Sequence, residues 1–275
     1  MRKPLAQIAF ITIVCAIAAI PVFAAAAFVQ ANTSEAAGTQ NTIAATFGSN
    51  TTSGNAIVAC VSWDNAGSET ISSIAISSGS ASFTNIGTKF ADFNQQNGQM
   101  AYALNITGGT TPTITVTFTD SQCCHQLGIM EISGLLTSGA LDQTNRQEQA
   151  SPGTGTDAVT SPSVTTTTNG QFIFGCMINS AGGTPTLTQG TNYSLGSTVG
   201  NDMLIEYRTQ ASAGSIAATF TRSVNGRSQA HISTWIAAAA ASDPGFSPVF
   251  ISQAAFANPH NYWKRNISPH GLVTQ

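Results

Sequence analysis

The chain has 275 residues, with 9 basic against 12 acidic side chains and a formal charge of −3. That balance excludes the phosphate-neutralising surface a nucleic-acid partner requires. Charged residues are 8% of the chain, against roughly 25% in an ordinary soluble domain, so the surface is built from hydroxyl, amide and glycine, while a hydrophobic content of 42% in short β-branched runs supplies a core and excludes wholesale disorder.

Arg2 and Lys3 precede an uncharged apolar run from Ile8 to Ile20, followed by small residues at Ala24 to Ala27. This is the pattern of a secretory leader, and residues 1–27 are expected to be removed near Ala24 to Ala27, giving a secreted or cell-surface protein. The run is closer to a leader core than to the ~20 residues that span a bilayer. Without Arg2 and Lys3, seven basic residues remain against twelve acidic, a formal charge of −5.

Residues 28–41 read as a flexible lead-in. Strand-like runs then follow at Thr42 to Phe47, Ala56 to Trp63, Ile71 to Ile76, Met100 to Ile106, Thr113 to Thr119 and Leu127 to Ser133, each bounded by Gly, Asn, Ser or Pro. In Thr113 to Thr119 the apolar Ile114, Val116 and Phe118 alternate with threonines, which is a half-buried strand. No segment before the tail sustains helical periodicity, so the fold class is all-β, a jelly-roll-like antiparallel sandwich over residues 42–241.

The chain also resembles itself. Thr52 to Cys60 parallels Thr168 to Cys176, Phe83 to Gly87 parallels Asn192 to Gly196, and Asn97 to Tyr102 parallels Gly200 to Ile205. Pro112 to Thr119 then parallels Gly214 to Thr221, and Gln126 to Ile132 parallels Ala230 to Ile236. The preserved order implies an internal duplication with half-units of about 42–139 and 158–241. Tandem small sandwiches and one interleaved sandwich both satisfy it, and the single interleaved sandwich is the favoured arrangement, with residues 140–165 as its crossing loop. Residues 242–275 form a tail rich in aromatics, outside the repeat.

Four cysteines follow the leader: Cys60, Cys123, Cys124 and Cys176. An even number in an exported chain favours disulfides and allows three pairings. Cys123 and Cys124 are adjacent, so each is expected to reach a different strand rather than its neighbour. Cys123-Cys124-His125 contains metal-ligand types, but neighbours on a strand point to opposite faces, which is poor spacing for one ion. His125 and His231 start matching segments and form a weak metal candidate; no cofactor is expected.

Catalytic patterns are lacking. There is no Gly-x-Ser-x-Gly elbow and no His-Glu-x-x-His. Glu131 and Glu206 fall inside strands, where paired carboxylates for glycoside hydrolysis would have to sit, but they occupy non-equivalent positions in the two half-units and read as solvent-facing, with Arg208 placed to pair with Glu206. Trp63, Tyr207 and Trp235 are candidate platforms for sugar rings, although Trp63 is in phase with Ile57, Ala59 and Val61 and so faces a core. Asp64, Asn65 and Glu69 form a weak calcium loop.

At Gly54 to Trp63, Asn105-Ile106-Thr107-Gly108-Gly109 and Leu141-Asp142-Gln143 the chain resembles secreted bacterial Ser/Thr/Gly-rich β-sandwich domains of surface, adhesin-associated or fibre-associated proteins. The resemblance implies a fold and a location and carries no catalytic motif. The leading expectation is therefore a non-catalytic adhesion or surface-binding module, with a glycan or cell-surface component as partner. The alternatives are a filament subunit that self-associates by adding Phe28-Val29 or the tail segment Phe246 to Phe256 to a neighbouring sheet, and a polysaccharide-active enzyme using Glu131 or Glu206.

Overall fold

The computed structural model describes residues 25–64, 68–91, 96–150, 155–180 and 183–239. The leader and tail expectations, with Phe246 to Phe256, lie outside these residues, apart from Ala25 to Ala27. Among the described residues the secondary structure is β only.

The first half supplies β1 (Ala27–Ala36), β2 (Gln40–Thr46), β3 (Ala56–Asp64), β4 (Ile71–Ile76), β5 (Thr84–Ala91), β6 (Gln96–Ala103), β7 (Thr113–Gln122) and β8 (His125–Ser133). These form a five-stranded sheet of order β1-β8-β3-β6-β5 and a three-stranded sheet of order β2-β7-β4. The second half supplies β9 (Leu141–Gln149), β10 (Asp157–Thr160), β11 (Val164–Thr165), β12 (Gln171–Asn179), β13 (Leu187–Gln189), β14 (Ser194–Val199), β15 (Met203–Gln210), β16 (Ser215–Ile216), β17 (Thr219–Arg222) and β18 (Ser228–Trp235). Its five-stranded sheet runs β14-β15-β12-β18-β9 and its smaller sheet β10-β17-β13, with β11 paired to β16. Reading β1 as β9, β3 as β12, β5 as β14, β6 as β15 and β8 as β18 maps one five-stranded order onto the other.

Three apolar clusters make four layers of these sheets. Val58, Cys60, Met100, Met130 and Ile132 of the first half meet Phe174, Cys176, Ile178, Ile205 and Trp235 of the second between the two five-stranded sheets. Ile57, Ala59, Val61 and Trp63, on the other face of β3, pack under Ile43, Ile114 and Val116 of the first small sheet. Ile173, Met177, Leu204 and Ile232 do the same with Val159 and Phe220 in the second half. Alternation explains the burial of β3 and β12 on both faces: odd residues serve one apolar layer and even residues the other, so these central strands are nearly continuous apolar runs.

The expected single interleaved sandwich is therefore corrected. Every ladder between named strands joins strands of the same half, and the halves meet face to face instead. The expected lead-in is corrected as well, because Phe28 to Ala36 belong to β1, paired with β8 from Ala27↔Ser133 to Ala36↔His125. Phe28 thus lies in a strand of its own chain's sheet. The expected crossing loop at 140–165 contains β9, β10 and β11. Strand β9 is polar (Leu-Asp-Gln-Thr-Asn-Arg-Gln-Glu-Gln) because it is an edge strand, and polarity disguised it.

The ladders also set the true correspondence between halves. Opposite Cys60 stand Met100 and Gly128, and opposite Cys176 stand Ile205 and His231. The block Asn97 to Tyr102 is thus displaced by two residues from the alignment read in sequence, and Gln126 to Ile132 by one. In this register Gln126 matches Gln229, and the β1 residues Gln30, Asn32 and Glu35 match Gln143, Asn145 and Glu148 of β9.

The turns entering β3 and β12 are built alike. Gly54 and Gly170 take φ of 87° and 74°, a left-handed conformation open to glycine at little cost. Each turn is tied down by a buried or half-buried carboxylate, but from different strands. Glu131 of β8 accepts from the Thr52 amide at 2.8 Å, Asn55 Nδ2 at 2.7 Å and Gln30 Nε2 at 2.7 Å. Asp142 of β9 accepts from the Thr167 amide at 2.8 Å and hydroxyl at 2.8 Å and from Gln171 Nε2 at 2.7 Å. Burial would raise the Asp142 pKa, but these donors outweigh it and hold the carboxyl below its ordinary value.

Cys60 and Cys176 form a disulfide across the interlayer, joining residues 116 apart in sequence. On a chain-entropy account, a loop of that size is worth about 4–5 kcal/mol. The Cys60→Ala/Cys176→Ala double variant is expected to melt about 10 °C lower in a thermal scan, at the few degrees per kcal/mol typical of chains this long. An unchanged melting temperature would mean that apolar packing alone holds the halves together.

Candidate functional site

At one end of the interlayer, where β1, β6, β8 and β12 finish or begin, the two five-stranded sheets part to leave a cleft of about 200 Å³ lined by Glu35, Gln96, Cys124, Gln126, Asn179 and Asp202, among others. The strands fill this mouth with polar side chains because it is where the apolar runs stop. The Glu35 and Asp202 carboxyls are hydrogen-bonded to each other. Burial, and then the Glu35 charge and hydrogen bond, raise the Asp202 pKa, while Asn179 opposes the rise. Gln229 Nε2 braces the opposite side by donating to the Gln96 carbonyl at 2.8 Å.

The rim of the cleft carries the second disulfide. Cys123 and Cys124 bond to each other, which corrects the expectation that each reaches a different strand. Cys60 and Cys176 are consumed by one another in the interior, and the adjacent pair forms the two-residue corner between β7 and β8, which belong to different sheets. Cys124 takes φ of 66° to make that corner. The resulting small ring is half-exposed beside Gln126 and Glu35.

The other sequence candidates are dispersed. Trp63 and Trp235 have 0% exposure, so neither presents a face to a sugar ring, a correction that follows from their phase on strands covered on both sides. Trp63 packs on Phe118 with ring centroids 5.1 Å apart, and Trp235 Nε1 donates to Ser233 Oγ at 3.0 Å. Tyr207 is half-buried and stacks between Phe28 at 4.5 Å and Phe172 at 5.7 Å. Asp64 ends β3 half-buried, and its backbone carbonyl accepts from Asn97 Nδ2 at 3.4 Å. Asn65 lies outside the described residues, and no group of three metal-ligating carboxylate, thiol or imidazole side chains is found among the described ones.

His125 and His231 do not face one another. His125 is on the outer face of β8, its ring 4.4 Å from that of Phe118, whereas His231 is in the interlayer against Phe90 at 6.1 Å. His125 lies one residue beyond the Ser62↔Gln126 end of the β3–β8 ladder, and Trp63 pairs with Asn97; all three are at 0% exposure. The His125 nitrogens, Trp63 Nε1 and Asn97 Oδ1 have no protein partner there. Burial lowers the His125 pKa.

Glu131 and Glu206 are both fully buried, which corrects the expectation that they face solvent. Glu131 points into the outer layer of the first half and Glu206 into that of the second, so both five-stranded sheets separate them and they do not flank a common bond. Glu206 accepts from the backbone amides of Gly190 at 2.8 Å and Thr219 at 3.2 Å. Arg208 places its guanidinium over the Tyr193 ring at 5.4 Å rather than serving mainly as an ion-pair partner. The sequence signal that was missed is Glu35: it matches Glu148 in the repeated Gln-x-Asn-x-x-Glu of β1 and β9, a block hidden by the assumption that residues 28–41 were unstructured.

Comparison with family models, with curated proteins and with solved structures finds no match.

Burial pushes the Glu206 pKa up to about 8, against the opposing pull of the Gly190 and Thr219 amides and of Arg208. Burial and then the Arg146 charge push His231 down to about 3. The raised carboxyl makes the folded state bind more protons than the unfolded state, so its contribution falls as pH rises through 4.5 to 8. The lowered histidine acts oppositely, and its contribution is lost as pH falls through 6.5 to 3. The two offset between 4.5 and 6.5. Urea-unfolding free energy is therefore expected to fall by about 2 kcal/mol between pH 6.5 and 8, and Glu206→Gln is expected to flatten that interval.

Proposed function

We propose that this chain is an exported, internally duplicated and non-catalytic module, each half a jelly-roll-like unit, that binds hydroxyl-rich ligands of the glycan class at a surface outside the cell. The observation that carries this reading is the end cleft. Its Glu35–Asp202 carboxyl pair and the amides of Gln96, Gln126 and Asn179 place hydrogen-bond donors and acceptors side by side, which is the arrangement that adjacent hydroxyls on one ligand satisfy. The Cys123–Cys124 ring offers a small apolar face at the rim for the C–H side of such a ligand. The low charge and hydroxyl-rich composition, and the two disulfides, agree with life in an oxidising compartment.

The adhesin-type reading outranks the enzyme reading because Glu131 and Glu206 are each engaged by backbone or amide donors in separate layers. A glycan array and a neutral-polysaccharide pulldown test the proposal. Binding is expected with dissociation constants in the range of single-site sugar recognition, and Glu35→Gln/Asp202→Asn is expected to weaken it at least tenfold while the melting temperature holds. Binding that the double variant leaves intact, or no binding to any glycan, would sink the assignment of the cleft.

A further inference from the structure

The interlayer has two long edges that correspond under the mapping of one half onto the other, and they are filled differently. At the edge where β1 and β8 face β14 and β15, Gly128 lets the sheets close: a Cβ there would meet Ile205 Cγ2 at 2.9 Å and Met203 Sδ at 3.2 Å. Thr33 and Ser197 seal it with a hydroxyl–hydroxyl hydrogen bond of 3.0 Å. At the edge where β9 and β18 face β5 and β6, the ladder positions of Gly128 and Thr33 are taken by His231 and Arg146, and that of Met203 by Gly98. Two large polar side chains therefore stand where the first edge has small ones. A cavity of about 170 Å³ is walled there by Arg146, His231, Asn145, Met100 and Gly87, among others.

The polar groups of this cavity are incompletely satisfied by the protein. His231 is at 0% exposure, and its Nε2 lies 3.1 Å from Gln229 Oε1. Gln229 Nε2 is committed to the Gln96 carbonyl, which orients Oε1 as the acceptor and puts the imidazole proton on Nε2. Nδ1 is left as a lone-pair acceptor with no protein partner. Burial and the neighbouring Arg146 keep the ring neutral. Arg146 donates one Nη to the Thr88 carbonyl and lies over Phe90 at 5.1 Å, while Phe90 sets its edge against His231. Among the described residues Arg146 has no carboxylate within ion-pair distance. The cavity thus sets a half-buried cation beside an imidazole whose Nδ1 has no protein partner.

We propose that this edge cavity binds a small carboxylate bearing a neighbouring hydroxyl, with the carboxylate on the Arg146 guanidinium and the hydroxyl donating to His231 Nδ1. A free hydroxy acid and the uronate unit of an acidic glycan share that chemistry. A charge-assisted contact to arginine and a hydrogen bond that satisfies a buried acceptor are the two interactions most sensitive to deletion.

The test titrates the intact protein with lactate and methyl glucuronide, using acetate and methyl glucoside as probes that lack the hydroxyl or the carboxylate. At least one complete probe is expected to bind tenfold or more tightly than its deficient counterpart, and the tighter of the two identifies the source. Arg146→Gln, at a half-exposed position, is expected to lose that binding by at least tenfold. The His231 Nδ1 nitrogen resonance is expected to shift on saturation in long-range nitrogen–proton spectra, which reads the contact without a buried substitution. Equal binding of complete and deficient probes, no binding, an unaffected Arg146→Gln or a static Nδ1 signal would each overturn the site. Glu35→Gln/Asp202→Asn is expected to leave this binding unchanged, so the end cleft and the edge cavity stand or fall separately.

Discussion

The contact between the two five-stranded sheets is the constraint on which the rest of the molecule depends. Each half already has an outer core beneath its small sheet, but the inner face of each large sheet is apolar and must be covered. The other half covers it. Cys60 and Cys176 sit at matching points of the two central strands, so the disulfide marks the place where one half relates to the other. Both candidate binding sites lie where this interlayer stops being apolar: the cleft at its end and the cavity along one edge.

Near-symmetric packing explains why polar groups gather there. Under the mapping of one half onto the other, each contact between the large sheets occurs twice, once at each edge, and the two occurrences are filled differently. Large and small residues exchange sides, with His231 facing Gly98 on one side and Gly128 facing Met203 on the other. A large side chain on one half thus meets a glycine on the other, where a Cβ would clash. The exchange is also what distinguishes the two edges, since one closes with small hydroxyls and the other is propped open by arginine and histidine.

The carboxylates tell a related story about stability. Glu131 and Asp142 lie in different strands yet perform the same task, tying down the turn before the central strand of their own half. The requirement belongs to the turn, whose amides need acceptors, and the adjacent strand β8 supplies one in the first half, the edge strand β9 in the second. Glu206 has no such counterpart; it is held by two backbone amides in a layer where its charge is costly.

The all-β class was legible in the sequence because alternation and turn residues are local: Thr113 to Thr119 and Ile71 to Ile76 are strands with nearly the bounds their pattern implies. The segments that recur in order fall in strands with the same place in the two large sheets or in the smaller sheets. Edge strands β1 and β9 were not legible, because an edge strand facing water on one side needs few apolar residues, and Gln-x-Asn-x-x-Glu reads as loop until its partner strand is known. The disulfide pairing, the face on which Glu131, Glu206 and Trp235 lie, and the register between repeats were decided only in the tertiary structure. A slip of one residue inverts every side chain of a strand, and which face is covered depends on a layer contributed by the distant half of the chain. The end cleft joins Glu35, Cys124 and Asp202 from three separate parts of the sequence. No local pattern relates residues that meet only because two sheets stack.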